Sequence, residues 1–117
     1  MLSSEHRLIK KEDFSGVYTK GRSYASDLVV VYILPNHISK LRIGFSVSKK
    51  VGKAVVRNRV KRLMGEAVKH LIPLIKSECD LVFVARAKSC NADFHSIYKS
   101  IEILLKKSGV IKQESIS

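Results

Sequence analysis

Basic side chains crowd into one stretch of the sequence, residues 42–69. Within it, seven of them lie close together: Lys49, Lys50, Lys53, Arg57, Arg59, Lys61 and Arg62. No Asp or Glu occurs between Leu28 and Gly65 to neutralise this charge. A surface field of a single sign repels itself and is useful mainly where an anionic partner is bound. The stretch therefore predicts a surface that binds a polyphosphate, and RNA is the polyphosphate that we favour.

Aromatic side chains offer a second kind of chemistry. Phe14 and Tyr18 lie four residues apart in a segment that predicts a short helix, and Tyr32 lies in the apolar run that follows. Exposed rings stack on unpaired nucleobases, and each stack contributes about 1 to 3 kcal/mol. Spacing alone favours the alternative, in which the pair fills the core, because apolar residues at i and i+4 usually pack inward. Both interpretations stay open at this point.

The basic residues are positioned by a predicted strand and a predicted helix. Polar or small residues at 42, 44, 46 and 48 alternate with Ile43, Phe45 and Val47, which is the period of a strand with one buried face. From about Lys53, apolar residues recur at three- and four-residue spacing, which predicts a helix. Its apolar stripe consists of Val56, Val60, Leu63, Met64, Ala67 and Leu71.

The opposite side of this helix is predicted to be basic. It carries Asn58, Lys61, Arg62, Gly65 and Lys69, with Arg57 and Arg59 at its two margins. A merely solvated helix usually pairs its cations with acids at i+4, and only Glu66 is available here. A lipid-binding helix is a further alternative, but the stripe lacks Trp and Phe and is needed to cover the strand. An RNA-binding surface remains the preferred interpretation.

The remaining pattern predicts an α+β sandwich. A helix at residues 11–19 precedes apolar strands at 28–34 and 81–85, and residues 21–25 offer an additional strand. A final helix is capped by Asn91 or Asp93 and ends at Gly109. Its apolar face is predicted to fill the core with Phe94, Ile97, Tyr98, Ile101, Leu104 and Leu105. Helices on one small mixed sheet are therefore the expected architecture.

Size and composition agree with an RNA-binding domain. The chain has 117 residues, a net charge of +12 and a pI near 10. This length predicts one domain, residues 1–117, with flexible ends at 1–10 and 110–117. The charge favours nucleic acid as a partner, although it would suit a ribosomal protein equally well. Cys79 and Cys90 are too few for a zinc site or a disulfide framework, and no apolar run predicts a membrane span, so we expect a cytoplasmic protein.

Three motifs carry a resemblance to a known family. The run SVSKKVGKAVVRNRVKRL, residues 46–63, contains Arg57-Asn58-Arg59 and resembles the signature of the protein subunit of bacterial ribonuclease P. The segment HRLIKKEDFSGVYTKGRS, residues 6–23, is similar to the amino-terminal segment of that family, and DLVFVAR, residues 80–86, is similar to a later strand. The resemblance covers almost the whole chain, and the order of its motifs makes it highly specific.

The resemblance implies a fold and a function. The family has the ribosomal protein S5 domain 2-like fold, with a left-handed β-α-β crossover against the usual right-handed rule. Ribonuclease P removes the 5′ leader of precursor tRNA by hydrolysing one phosphodiester. The resemblance implies that the RNA subunit is the catalyst and holds most of the Mg²⁺, while the protein binds leader and RNA subunit and improves substrate and Mg²⁺ affinity. The implied partners are the ribonuclease P RNA and precursor tRNA, with no membrane and no obligate protein partner.

The resemblance also implies roles for individual residues. Phe14, Tyr18 and Tyr32 match residues that line the family's leader-binding cleft. Three basic residues lie at strand ends where a leader phosphate could pass: Lys49, Lys50 and Arg86. Six residues match the helix face that lies against the catalytic RNA: Lys53, Arg57, Asn58, Arg59, Lys61 and Arg62. Gly65 departs from the pattern, because many relatives carry Arg there, and we expect Gly65→Arg to strengthen binding to the RNA subunit.

No residue is assigned a catalytic or metal-binding role. A protein nuclease that uses two metal ions needs several carboxylates at one site, and the basic stretch has none. The main alternative function is that of a ribosome-associated or general RNA-binding protein without a part in cleavage. A weaker alternative makes the basic helix a reader of the DNA major groove. Reconstitution with a bacterial-type ribonuclease P RNA separates these functions, because only a ribonuclease P subunit would support leader removal.

Overall fold

The computed structural model describes residues 11–36, 38, 40–75 and 78–112, which form three α-helices and four strands. The helices are α1 (Lys11–Lys20), α2 (Ala54–Leu71) and α3 (Phe94–Ser108). The strands are β1 (Arg22–Ala25), β2 (Val29–Pro35), β3 (Arg42–Ser46) and β4 (Cys79–Ala85). The predicted α+β order is confirmed, including the additional strand at 21–25. Residues 1–10 and 113–117 lie outside the described residues, so their predicted flexibility stays a prediction.

The four strands form one mixed sheet in the order β1-β2-β4-β3. Strand β2 is antiparallel to both β1 and β4, and Tyr32 lies opposite Val82. Strand β3 is parallel to β4, with Arg42 opposite Asp80. Because side chains alternate along a strand, the odd-numbered residues of β2, β3 and β4 share one face, here called the first face. The even-numbered residues share the second face.

The β3-α2-β4 crossover is left-handed. The backbone N–H of Arg86 donates to the carbonyl of Leu28, so even-numbered residues of β4 direct their backbone polar groups toward β2 and odd-numbered ones toward β3. Consider a strand of L-residues that runs upward. A residue whose side chain points toward the viewer directs its backbone N–H and C=O groups to the right. Leu81 and Phe83 face the helices, so from that side β3 lies to the right of β4. The chain then passes from β3 over α2 to a strand on its left, against the usual rule.

The first face carries the main core and is covered by α2 and α3. Phe83 of the central strand β4 is fully buried and stacks on Phe45 with ring centroids 5.7 Å apart. The helices bury Val60, Met64, Ala67, Val68 and Leu71 from α2, and Ile97, Ile101, Leu104 and Leu105 from α3. The centre of the predicted stripe is therefore confirmed, with Val68 as an addition. Val56 and Leu63 lie half-buried at its margins.

The main core extends beyond the end of α3. Gly109 ends this helix in the left-handed conformation with φ of 84°, as predicted. Val110 and Ile111 are nevertheless buried, and Ile111 forms an antiparallel bridge with Ile75. The chain therefore stays in the core for two residues past the point at which a flexible tail was expected to begin.

The second face is covered by α1. Val17 of α1 packs on Val82 of β4, and both side chains are fully buried. Gly21 lets the chain turn directly from α1 into β1, because a Cβ there would lie 2.5 Å from the carbonyl oxygen of Val17 and 2.9 Å from that of Ile33. This close turn holds α1 against the sheet.

Candidate nucleic-acid interface

The second face carries three aromatic rings, Phe14, Tyr18 and Tyr32, which we call the first ring cluster. The centroids of Phe14 and Tyr18 are 6.4 Å apart, with the ring planes at 48°. Tyr18 meets Tyr32 nearly edge-on, at 5.0 Å and 77°. Such pairs prefer tilted and edge-to-face geometry, which fixes the rings relative to one another.

The first ring cluster is accessible to solvent. Tyr18 is 40% exposed, while Phe14 and Tyr32 are half-buried. The neighbouring Val17 occupies the position that contacts the sheet, so Tyr18 lies at the edge of the packed surface. The interpretation in which the pair only fills the core is therefore wrong for Tyr18.

Basic residues lie at the carboxyl end of β3 and β4. Lys49 and Lys50 are exposed in the turn after β3, and Arg86 is exposed directly after β4. The Arg86 guanidinium donates from Nη1 to the carbonyl oxygen of Ser26, 3.0 Å away. Val84, two residues earlier, packs in the same cluster as Phe14. The fold thus places Arg86 in the same sheet region as the first ring cluster, while Lys49 and Lys50 lie in the turn after the neighbouring strand β3.

Helix α2 presents the predicted basic residues to solvent. Asn58, Lys61, Arg62 and Lys69 are exposed, and we call these four residues the basic face. Lys53 is also exposed, at the N-cap of the helix, where its side chain makes no capping hydrogen bond. The first turn of α2 contains no acid, although acids are favoured at the positive end of a helix. The local positive potential is therefore left uncompensated by side chains of that turn.

The two outer arginines of the Arg-Asn-Arg motif are more buried than predicted. The guanidinium of Arg59 donates from Nη2 to the carbonyl of Cys90 at 2.7 Å and from Nη1 to that of Ala92 at 3.1 Å. Arg59 therefore ties α2 to the segment before α3, and part of its donor capacity is used within the protein. Arg57 is half-buried, and its Nε is buried without a hydrogen-bond partner among the described residues. A buried N–H without an acceptor is costly, so this group is a local cost to the fold.

A buried ion pair was missed by sequence reasoning. Asp80 is 3% exposed, and it accepts hydrogen bonds from Arg42 Nε at 2.9 Å and Arg42 Nη2 at 2.8 Å. Asn36 Nδ2 donates to the same carboxylate at 2.8 Å. The group links the ends of β2, β3 and β4 on the second face. The sequence signal for this group was an Asp near the start of an apolar strand. Its partner could not be predicted from the sequence, because the partner depends on strand register.

Carboxylates do not converge on a site in the described part of the chain. Within it, no three His, Cys, Asp or Glu side chains come together that could hold a metal ion. Several acids have structural partners: Asp80 binds Arg42, Asp93 accepts from the Ser96 N–H that it caps, and Glu102 lies between Lys99 and Lys106. These residues therefore do not form the ligand set of a two-metal nuclease.

The Cys79 thiol is a weak nucleophile. Cys79 and Cys90 are both free. Burial, followed by the charge of Asp80, raises the pKa of the Cys79 thiol to about 11. Because the thiolate is the nucleophile, a thiol that stays protonated at neutral pH is a weak one.

The prediction that Phe94 lies in the core is wrong. Phe94, the first residue of α3, is 38% exposed and contacts His70 of α2 and Tyr98. The buried stripe of α3 begins one turn later, at Ile97. Apolar residues recur at the same spacing along the whole helix, so spacing does not distinguish Phe94 from the buried residues of α3. Phe94 differs from them because the first turn of α3 lies beyond the core.

Among the residues that the structure describes, none of the helices combines the length and apolar character that crossing a membrane requires.

The family model described as Ribonuclease P matches residues 2–109 of the chain. The chain is 45% identical over 108 residues to the "Ribonuclease P protein component" of Caldanaerobacter subterraneus subsp. tengcongensis, covering 92% of this chain and 93% of that protein.

Solved structures show the same similarity. The ribonuclease P protein of Staphylococcus aureus superposes with a TM-score of 0.84 and 37% identity, covering 92% of this chain and 98% of that one. The protein from Thermotoga maritima gives a TM-score of 0.78 and 30% identity, covering 86% and 96%. The left-handed crossover and the mixed four-stranded sheet thus belong to a fold that this chain shares with both solved proteins over nearly their whole length.

Proposed function

The chain belongs to the ribonuclease P protein family, and from this premise we propose that it is the RNA-binding protein subunit of a ribonuclease P that removes the 5′ leader of precursor tRNA. Its role is to bind two RNA elements at once, the single-stranded leader and the catalytic RNA. The observation that carries this assignment is an exposed ring cluster on the second face together with a separate basic face on α2.

The leader is assigned to the second face. Phe14, Tyr18 and Tyr32 provide ring surface for unpaired bases, and stacking tolerates any base because every base has a π-face. Lys49, Lys50 and Arg86, at the end of β3 and β4, meet the leader phosphates. The leader's sequence is therefore of little importance, whereas its single-stranded character is essential.

The catalytic RNA is assigned to α2. Lys53, Lys61 and Arg62 bind phosphates, and Asn58 hydrogen-bonds a base edge or a sugar hydroxyl. Arg57, half-buried at the margin of this surface, is assigned to a phosphate through the accessible part of its side chain. Arg59 acts mainly by holding α2 against the segment before α3, so that the basic face keeps its orientation.

Hydrolysis is assigned to the RNA subunit. The described acids with known partners serve the fold, which supports a protein that binds rather than cleaves. Mg²⁺ supplies charge stabilisation for phosphodiester hydrolysis in two-metal reactions. The described residues do not fit a Mg²⁺ site of their own. What the protein contributes is substrate affinity and the placement of the leader.

Reconstitution tests the function. The full-length protein is mixed with a bacterial-type ribonuclease P RNA and a 5′-labelled precursor tRNA at low Mg²⁺, where the RNA alone is slow. We expect release of the intact leader at the mature 5′ end only when both components are present. Absence of stimulation, together with binding of all RNAs at similar affinity, would instead support a general RNA-binding protein. Equal affinity for duplex DNA at the same salt would support a DNA-binding role.

A further inference from the structure

A second group of rings has nearly the same geometry as the first ring cluster. His70, Phe94 and Tyr98, here called the second ring cluster, lie where α2 meets the start of α3. Phe94 and Tyr98 have centroids 5.8 Å apart at 39°, and His70 meets Phe94 edge-on at 6.2 Å and 76°. Both clusters therefore combine a tilted i, i+4 pair with a third ring at a steep angle. In each, one ring is about 40% exposed, Tyr18 at 40% and Phe94 at 38%.

Phe94, an exposed ring of the second ring cluster, is not needed to close the core. Ile97 and Ile101 already fill the buried stripe of α3, and Phe94 lies one turn before them. His70 is exposed in the last turn of α2, and Tyr98 is half-buried. The accessible part of the Phe94 ring, with His70 and Tyr98 beside it, is aromatic contact area that the core does not use.

The surrounding charge indicates what this surface binds. Lys69 is exposed beside His70, and the basic face continues along the same helix. Arg59 holds the backbone at Cys90 and Ala92, directly before the residue that caps α3, and so fixes the approach of α3 to α2. The acids nearby are Glu66, one turn before His70, and Asp93, whose carboxylate accepts the Ser96 N–H. The basic face lies on the same helix as His70, around the helix from it, so an RNA held by that face can present an unpaired base to the rings at the end of α2.

We propose that the second ring cluster stacks an unpaired nucleobase of the RNA that binds the basic face. The ring of Phe94 provides the stacking surface, and His70 and Tyr98 hold that ring in place. The site is distinct from the leader surface, because the first ring cluster lies on the second face of the sheet and α2 and α3 cover the first. The inference rests on the proposed function in one respect, since it takes the catalytic RNA as the ligand of α2.

Affinity for a bacterial-type ribonuclease P RNA, measured at one fixed salt concentration, tests this site. We expect Phe94→Ala to weaken binding about 5- to 150-fold, the range for loss of one stacked base. Phe94→Tyr keeps the ring and should bind like the parent. Ile103→Ala is the matched control, because Ile103 is 56% exposed on the same helix outside the cluster. Equal affinities for Phe94→Ala and Ile103→Ala would overturn the assignment.

Three further measurements keep the result unambiguous. Phe94→Leu retains an apolar side chain and the interhelix contact, so parent-like binding by this variant would show packing rather than stacking and would also overturn the site. The ratio of affinities for precursor and mature tRNA should stay unchanged in Phe94→Ala, because the leader surface is intact. If the parent protein sediments as a dimer and Phe94→Ala as a monomer, the occupant is a second copy of the chain and the RNA assignment is wrong.

Failure of the site and failure of the proposed function give different results. If the parent supports leader removal but Phe94→Ala binds RNA normally, only the second ring cluster is wrongly assigned. If the parent supports no leader removal with the RNA subunit, the proposed function itself fails.

Discussion

The two faces of the sheet are closed in different ways. On the first face, α2 and α3 together bury an apolar core around Phe83. On the second face, the ten residues of α1 bury Val17 against Val82 and leave the neighbouring rings half-buried or exposed. The second face also contains the buried ionic group of Arg42, Asp80 and Asn36, whereas the first face is apolar around its centre.

We propose that this difference separates stability from binding. A face covered by two helices excludes water from large apolar side chains, which is where most of the favourable free energy of folding arises. A face covered by one short helix keeps aromatic area in contact with solvent, at some loss of burial. The accessible rings can then exchange water for a nucleobase. The predictions below test whether this division holds.

The largest effect is expected on the first face. Phe83→Ala removes a fully buried ring that stacks on Phe45, and should lower the free energy of unfolding by about 3 to 5 kcal/mol. Urea denaturation followed by circular dichroism measures this change. Ile103→Ala, at an exposed position of α3, should stay within about 0.5 kcal/mol of the parent. A cost below about 1 kcal/mol for Phe83→Ala would contradict the importance of the first face.

Breaking the ionic group of the second face should have the next largest effect. Asp80→Ala removes the carboxylate that accepts from Arg42 and Asn36, and should cost about 3 kcal/mol, because it leaves partly buried donors without that acceptor. The double variant Arg42→Met/Asp80→Leu makes this region apolar and should recover much of the loss. Equal unfolding free energies for the single and double variants would argue that the pair is not the cause.

The rings of the second face should matter for ligand rather than for stability. Tyr18→Ala is expected to lower affinity for leader-bearing precursor tRNA about 5- to 150-fold, while unfolding changes by less than about 1 kcal/mol. Tyr18→Phe keeps the ring and serves as the control. Binding of mature tRNA, which lacks the leader, should be unaffected. If Tyr18→Ala destabilises as much as Phe83→Ala, the two faces do not differ as we describe.

Gly65 offers a smaller change on the outer surface of α2. A Cβ placed there has no heavy atom within 4 Å, so larger side chains fit. Gly65→Ala should stabilise the helix by about 1 kcal/mol. Gly65→Arg should in addition strengthen binding to the ribonuclease P RNA and steepen its salt dependence by about one phosphate contact. Affinity equal to or weaker than that of Gly65→Ala would contradict a role for the basic face.

The smallest expected effect depends on pH. Hydrogen bonds from the Ser96 backbone and side chain lower the pKa of the exposed Asp93 carboxyl below its ordinary value of 3.8. A carboxyl with a depressed folded-state pKa stabilises the fold above its unfolded pKa, and this contribution is lost as the pH falls through the folded value. Asp93→Ala should therefore be slightly less stable at pH 7. Thermal melts should show the difference vanishing at pH values well below 3.8, and a constant difference at all pH values would exclude this cause.

The sequence alone determined the order of elements and the nature of the ligand. Periodicity and capping are local properties, so the strand at β3, the stripe of α2 and the caps Asp93 and Gly109 were predictable. The missing acids between Leu28 and Gly65 also indicated a polyanion without any structure. The left-handed crossover came only with the family resemblance, because local patterns carry no information about the hand of a connection.

Only the tertiary structure decided which of several similar residues are free. Phe14 and Tyr18 have the same spacing as Phe94 and Tyr98, and sequence reasoning assigned the second pair wholly to the core, although Phe94 is exposed. Arg42 is engaged by Asp80, 38 residues away, and Arg59 by the carbonyls of residues 90 and 92. These partners depend on strand register and on how helices cross the sheet. Such long-range geometry arises from packing of the whole chain, so no local window of sequence contains it.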